Sequence, residues 1–182
     1  MEKNSEHPAK LKIKDLFSLA SAALGLLVIL IAFGAMPPYF PLLPLDFAAL
    51  AILLSAVLDY FDGKLARAEH EANPFGKELD SLCDAVAFGV APAAYAVWAI
   101  PQIALVPFGL GYASLFAYLL AALVRLAWFN VQEDHTHYYG LIVPVAAVFV
   151  VLSVWLLAEN AWIALFVIAA LMLSRFKWKK PL

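Results

Sequence analysis

Charge is scarce in this chain. Only 14% of its 182 residues are Asp, Glu, Lys or Arg, against about 25% in an ordinary soluble domain. An excess of either sign is missing too: the formal net charge of −2 gives no reason to expect a nucleic-acid partner. Cysteine is nearly absent. The single Cys83 excludes an intrachain disulfide framework and reads as a small buried thiol rather than a reactive one. Period-two alternation is absent, as are internal repeats and low-complexity tracts. Apolar residues, in contrast, make up 65% of the chain.

That apolar excess is laid out in runs of about the 20 residues that a helix needs to cross a bilayer. Six segments emerge, at 15–35, 42–62, 79–99, 103–129, 138–157 and 160–175. Pro37, Pro38, Pro41 and Pro44 mark the first turn. Pro101 and Gln102 mark the turn between the third and fourth segments, and residues 158–161 the last. Only helices and closed barrels satisfy the backbone in lipid, and these runs far exceed the roughly 9–11 residues of a barrel strand. The expected fold is therefore all-α: a polytopic bundle of six transmembrane helices over 15–176, with short basic ends at 1–14 and 177–182. The first apolar run is too long for the core of a cleaved secretory signal and reads as a retained helix.

Basic residues orient the bundle. With six spans, Lys3, Lys10, Lys12, Lys14, Lys64, Arg67, Lys77, Arg125, Arg175, Lys177, Lys179 and Lys180 all fall on or near one side. The opposite turns carry no Lys or Arg. Cytoplasmic loops hold that excess, so both termini and a 63–78 loop are expected in the cytoplasm, with the protein in the cell membrane. The basic ends read as ordinary topology determinants.

The chemistry concentrates at 59–84. Asp59 and Asp62 are three apart at the end of the second segment. Asp80 and Asp84 are four apart at the start of the third. Those spacings put each pair on one helix face, and a short connection makes the helices antiparallel neighbours. Four uncompensated carboxylates would repel one another. Divalent cations resolve this, and all-oxygen ligation favours Mg²⁺, Mn²⁺ or Ca²⁺ over zinc. Four carboxylates suit a pair of ions clamping a phosphoryl group. Gly63 and Ala66 keep the helix surface low. Arg67 offers a planar fork for phosphate, and Gly76 allows close substrate approach.

The run Asp59-x-x-Asp62-Gly63-x-x-Ala66-Arg67, eight residues, Gly76-x-x-x-Asp80-x-x-x-Asp84 resembles the CDP-alcohol phosphotransferase signature, with every position filled. The stretches 76–84 and 88–93, together with Arg125-Leu126-Ala127, Phe129-Asn130, Gly140-Leu141, Pro144 and 173–177, are similar to the phosphatidylserine synthase branch, which includes archaetidylserine synthases. Trp128 stands where that branch usually has a second arginine. Ile142-Val143-Pro144 replaces its commoner Leu-Pro-x-Pro run.

The resemblance implies a six-helix membrane enzyme, often a homodimer, that moves a phosphatidyl-type group from a CDP-linked lipid to an alcohol and releases CMP. It implies two divalent cations, Mg²⁺ or Mn²⁺, on Asp59, Asp62, Asp80 and Asp84. Asp84 is the implied base toward the acceptor hydroxyl. Asp59, Asp62, Gly63, Ala66, Arg67, Gly76 and Asp80 are the implied CDP-lipid contacts. L-serine is the implied acceptor, with Arg125 the candidate for its carboxylate and Asn130 and Glu78 as further contacts. Glycerol phosphate and inositol phosphate are alternative acceptors, but each brings a phosphate that wants more basic residues than Arg125 alone. A cation transporter would need acidic groups along a route through the bilayer. Beyond the four aspartates, only Asp46 and Glu159 lie near the other edge. His135 and His137 read as surface histidines.

Overall fold

Membrane helices hold together through small side chains that let backbones approach, because lipid is as apolar as leucine. This chain is built that way. Its interior includes Ala48, Ala49, Ala51, Ala87, Ala91, Ala96, Ala121, Ala122, Ala146 and Ala147, while Leu26, Leu54, Phe116, Leu120 and Ile163 face outward. The computed structural model describes residues 12–34, 44–68, 74–100, 109–132 and 137–179.

The helices are α1 (Ile13–Ala32), α2 (Pro44–Ala68), α3 (Pro74–Asp84), α4 (Ala91–Ala99), α5 (Leu110–Val131), α6 (Val143–Leu157) and α7 (Ala161–Leu173). A π-helical turn, Ala85–Val90, joins α3 to α4 in one rod. Among the described residues, four stretches are long and apolar enough to cross a membrane: Asp15–Ala32, Phe75–Ala99, Leu110–Val131 and Val143–Leu173. The last of these folds back on itself at a 3₁₀ turn, Ala158–Asn160. Leu141, just before α6, donates its N–H to the Leu171 carbonyl near the end of α7 at 3.1 Å. The two helices are thus an antiparallel hairpin.

Two sequence expectations need correction. The second segment does not stop at 62: α2 runs on to Ala68, and α3 starts at Pro74, so Gly63, Ala66, Arg67 and Gly76 are helical rather than parts of a 63–78 loop. Apolarity ends where the bilayer would end, but the backbone hydrogen-bond ladder continues into water. The fifth apolar segment becomes helical, as α6, at Val143 instead of 138. The all-helical class holds, with one short addition. Strand β1 (His137–Tyr139) pairs antiparallel with β2 (Lys177–Lys179), with Tyr138 opposite Trp178. Gly140 closes this clasp at φ 63°, and a Cβ there would lie 2.7 Å from the carbonyl oxygens of Met172 and Ser174. Only glycine fits on both counts.

The π turn has a local cause. Pro92 has no N–H to offer the carbonyl four residues earlier, that of Phe88. The Ala91 N–H bonds back five residues, to Val86. Tyr118 of α5 supplies the missing donor, its hydroxyl reaching the buried Phe88 carbonyl at 2.6 Å. Tyr118→Phe leaves that carbonyl one donor short. The variant is expected to lose about 1–3 kcal/mol of stability, read as a lower unfolding temperature of the purified protein.

Candidate active site

Two helices bring the acidic residues together. Asp59 sits near the C-terminal end of α2, and Asp80 and Asp84 lie one turn apart on α3. All three are half-buried, and one carboxylate oxygen from each lies within 4.8 Å of the others. At that separation, two negative charges repel by roughly 3–4 kcal/mol at an effective dielectric of about 20. The cluster is therefore built for a counter-charge. Its donors are all carboxylate oxygens, the set that hard divalent cations prefer. Three ligands leave room for substrate oxygens in a six-coordinate shell, so the residues fit an ion of the Mg²⁺ or Mn²⁺ kind.

The remaining motif residues surround this cluster along the backbone. Asp62, Ala66 and Arg67 continue α2 beyond Asp59, and their side chains lie outside the described residues. Gly63 is exposed, and a Cβ built there meets nothing within 4 Å. Gly76 is buried in the first turn of α3, in helical conformation. Cys83 is buried between the aspartates, as expected of a small apolar thiol. Glu78 is exposed on α3. His135 lies outside the described residues, and the His137 backbone forms part of β1.

Helix α5 forms the next wall. Ser81 donates to the Asn130 side-chain oxygen at 2.9 Å, and the Lys77 ammonium donates to the Asn130 main-chain carbonyl at 2.7 Å. Lysine thereby satisfies a carbonyl in the last turn of α5, one that has no partner within its own helix. Both oxygens of Asn130 are engaged by α3, so its amide N–H groups are what it retains for a ligand. Deeper in the bundle, Tyr118 meets Phe88. These two contacts bracket Asp84 on the α3 rod and Arg125 on α5, each a little less than halfway down. Arg125 belongs to the buried face of α5. It is 3% exposed, and its Nε has no hydrogen-bond partner among the described residues. Trp128, one turn on, is half exposed on the outer side of α5.

Sequence reasoning missed several residues here. The first apolar run reads in sequence simply as a retained membrane helix, yet Ser18 of α1 donates to Asp80 Oδ1 at 3.0 Å. The signal was present as Asp15, Ser18 and Ser21, polar residues three apart in a helix whose other residues after Lys14 are apolar. Lys77 and Ser81 were passed over as residues lying between motif positions.

A hard-cation site at the end of an apolar bundle suits chemistry on a phosphate group held at a lipid surface. The chain belongs to the CDP-alcohol phosphatidyltransferase family, whose model matches residues 14–175. Among its relatives is a CDP-diacylglycerol–serine O-phosphatidyltransferase of Helicobacter pylori, 38% identical over 109 residues, or 58% of this chain and 44% of the relative. The Bacillus subtilis protein of the same name is 34% identical over 108 residues, covering 58% of each. An archaetidylserine synthase of Methanothermobacter thermautotrophicus is 32% identical over 139 residues, 75% of this chain and 54% of the relative. The chain thus spans about half the length of these relatives.

Proposed function

We propose that this protein transfers the lipid phosphate unit of a CDP-linked lipid, CDP-diacylglycerol or CDP-archaeol, to the hydroxyl of L-serine, releasing CMP. The observation that carries this reading is the convergence of Asp59, Asp80 and Asp84; Arg125, buried on α5, adds a cation inside the same bundle. The bundle crosses the cytoplasmic membrane six times, counting α1, α2, the α3–α4 rod, α5, α6 and α7. Its termini and this site face the cytoplasm, and it works as a homodimer.

Asp59, Asp62, Asp80 and Asp84 would hold two divalent cations, Mg²⁺ or Mn²⁺, which when bound supply positive charge to the diphosphate and to the departing CMP. The chain's own groups do the rest. Arg67 adds a guanidinium for the donor phosphates. Gly63, Ala66 and Gly76 leave room for the nucleotide. Arg125 pairs with the serine carboxylate, and Asn130 offers it an amide N–H. Glu78, exposed two residues before Asp80, lies off the helix face that carries Asp80 and Asp84. Asp84 takes the proton of the serine hydroxyl, which is a weak nucleophile on its own at neutral pH. The serine oxygen bonds to the lipid-bearing phosphorus as that phosphorus releases CMP.

A buried guanidinium with one nitrogen, Nε, lacking a hydrogen-bond partner among the described residues is costly, and an incoming anion lowers the cost. One such arginine matches a single carboxylate. The deciding experiment supplies serine, glycerol phosphate and inositol phosphate in turn and scores lipid product and CMP. Serine product is expected. Turnover with glycerol phosphate and none with serine would overturn the assignment.

Gly63 allows a separate check on the donor. An exposed helical glycine costs up to about 1 kcal/mol relative to alanine, and no neighbour among the described residues opposes a methyl group there. Gly63→Ala is expected to leave the fold equally or more stable, yet to raise the KM for CDP-lipid about tenfold, equivalent to about 1.4 kcal/mol of binding. Donor titrations and thermal unfolding of the same preparation read both.

A further inference from the structure

Helix α1 reaches the carboxylate cluster from a third side. Its buried stripe reads Asp15, Ser18, Ser21, Gly25, Val28, Ile31, three or four residues apart. Gly25 lies against the π turn. A Cβ there would sit 2.8 Å from Ala87 Cα and 3.1 Å from Ala87 N, backbone atoms that cannot swing aside. Ser18, two turns back, is 5% exposed and donates its hydroxyl to Asp80 Oδ1 at 3.0 Å. Seven residues separate these contacts along α1, and seven separate Ala87 from Asp80 along the rod. The two helices therefore run parallel and in register. The close approach at Gly25 sets the reach of Ser18.

We propose that Ser18 is a positioning residue of the metal centre: its hydroxyl fixes the plane of the Asp80 carboxylate and thereby sets the affinity of the site for a divalent cation. This rests on the metal-assisted reading above. An aspartate turns about two side-chain torsions, and a ligand that must be frozen on binding gives up affinity. A donor on Oδ1 holds the group in place beforehand. A single hydroxyl hydrogen occupies only one lone pair of Oδ1 and so does not itself exclude a cation from the carboxylate. The donor's neutrality matters equally. A lysine or arginine in its place would compete with the cation for the carboxylate, whereas a hydroxyl orients the charge without cancelling it. Partners of this kind behind a metal ligand typically change metal affinity or activity by about 10–100-fold.

The neighbouring polar groups of α1 do not share this role. Asp15 is 2% exposed, and its Oδ2 accepts the Lys12 N–H at 2.8 Å, which caps the start of the helix. Ser21 lies one turn deeper, and its Oγ has no hydrogen-bond partner among the described residues. It provides a control of identical chemistry on the same stripe.

The test measures Mn²⁺ binding to the purified full chain without substrates, by electron paramagnetic resonance of the free ion, alongside thermal unfolding. Ser18→Ala is expected to weaken Mn²⁺ binding about tenfold with little change in unfolding temperature. Ser18→Thr, which keeps the hydroxyl, is expected to stay within about twofold of the unaltered protein. Ser21→Ala is expected to bind as the unaltered protein does. CMP release by Ser18→Ala should recover as Mn²⁺ is raised, moving the half-saturating concentration more than the plateau. Wild-type affinity in Ser18→Ala would overturn the inference. So would parallel losses of binding and stability in both the alanine and threonine variants, the mark of a packing role. If the unaltered protein itself takes up no Mn²⁺, the metal-assisted reading falls first.

Discussion

Asp84→Asn is expected to lose turnover by about a thousandfold or more while still binding CDP-lipid. A positioned general base contributes about 10²–10⁴-fold on its own, and the substitution also weakens a cation ligand. Asparagine keeps the size of the side chain and one oxygen, so the site retains its shape. It cannot accept the serine proton at neutral pH. Asp59 and Asp80 remain to attract an ion, so donor affinity falls only severalfold. The fold should not suffer. Three carboxylates within 4.8 Å repel one another, and replacing one by a neutral amide relieves part of that strain when no ion is bound. The unfolding temperature of the metal-free variant is thus expected to match or exceed that of the parent. Donor binding and CMP release, measured on one preparation, separate the two effects. Near-normal turnover would remove Asp84 as the base.

Arg125→Met should separate binding from stability in a similar way. The guanidinium is buried, and its Nε has no hydrogen-bond partner among the described residues. Replacing such a charge by an apolar side chain of similar length is often neutral or stabilising. Loss of its pairing with a carboxylate costs about 1.5–3 kcal/mol, or roughly 10–150-fold in kcat/KM for serine, carried mostly by KM. Arg125→Lys should rescue poorly, because a point charge lacks the planar fork. With alcohol acceptors that carry no carboxylate, the handicap of the methionine variant should vanish. An equal handicap with those acceptors would make Arg125 a structural residue.

The aspartate cluster was legible because helix geometry is local. Spacings of three and four residues fix a face, and a short connection fixes the partner helix. Asp59, Asp80 and Asp84 meet as those spacings require. Helix ends were less legible. Hydropathy reports where lipid would stop, whereas α2 continues through Gly63 and Lys64 to Ala68. The clasp between β1 and β2 joins segments about forty residues apart, and no local pattern in His137–Tyr139 announces Lys177–Lys179 as its partner. The π turn had a visible cause in Pro92, but the answering hydroxyl of Tyr118 comes from another helix. Ser18 was hidden for the same reason: its spacing from Asp15 and Ser21 marked a polar stripe, while its partner lies 62 residues away. What a residue touches across helices depends on packing, and here packing is set by small residues such as Gly25.

The most direct measurement follows both products of one reaction. Purified protein in lipid nanodiscs receives CDP-lipid, labelled serine and Mn²⁺ or Mg²⁺, and CMP and labelled lipid are counted together. The account predicts equal amounts of the two, no reaction after chelation, and recovery when the cation is restored. Undiminished serine transfer after chelation, or CMP formed without labelled lipid, would contradict it.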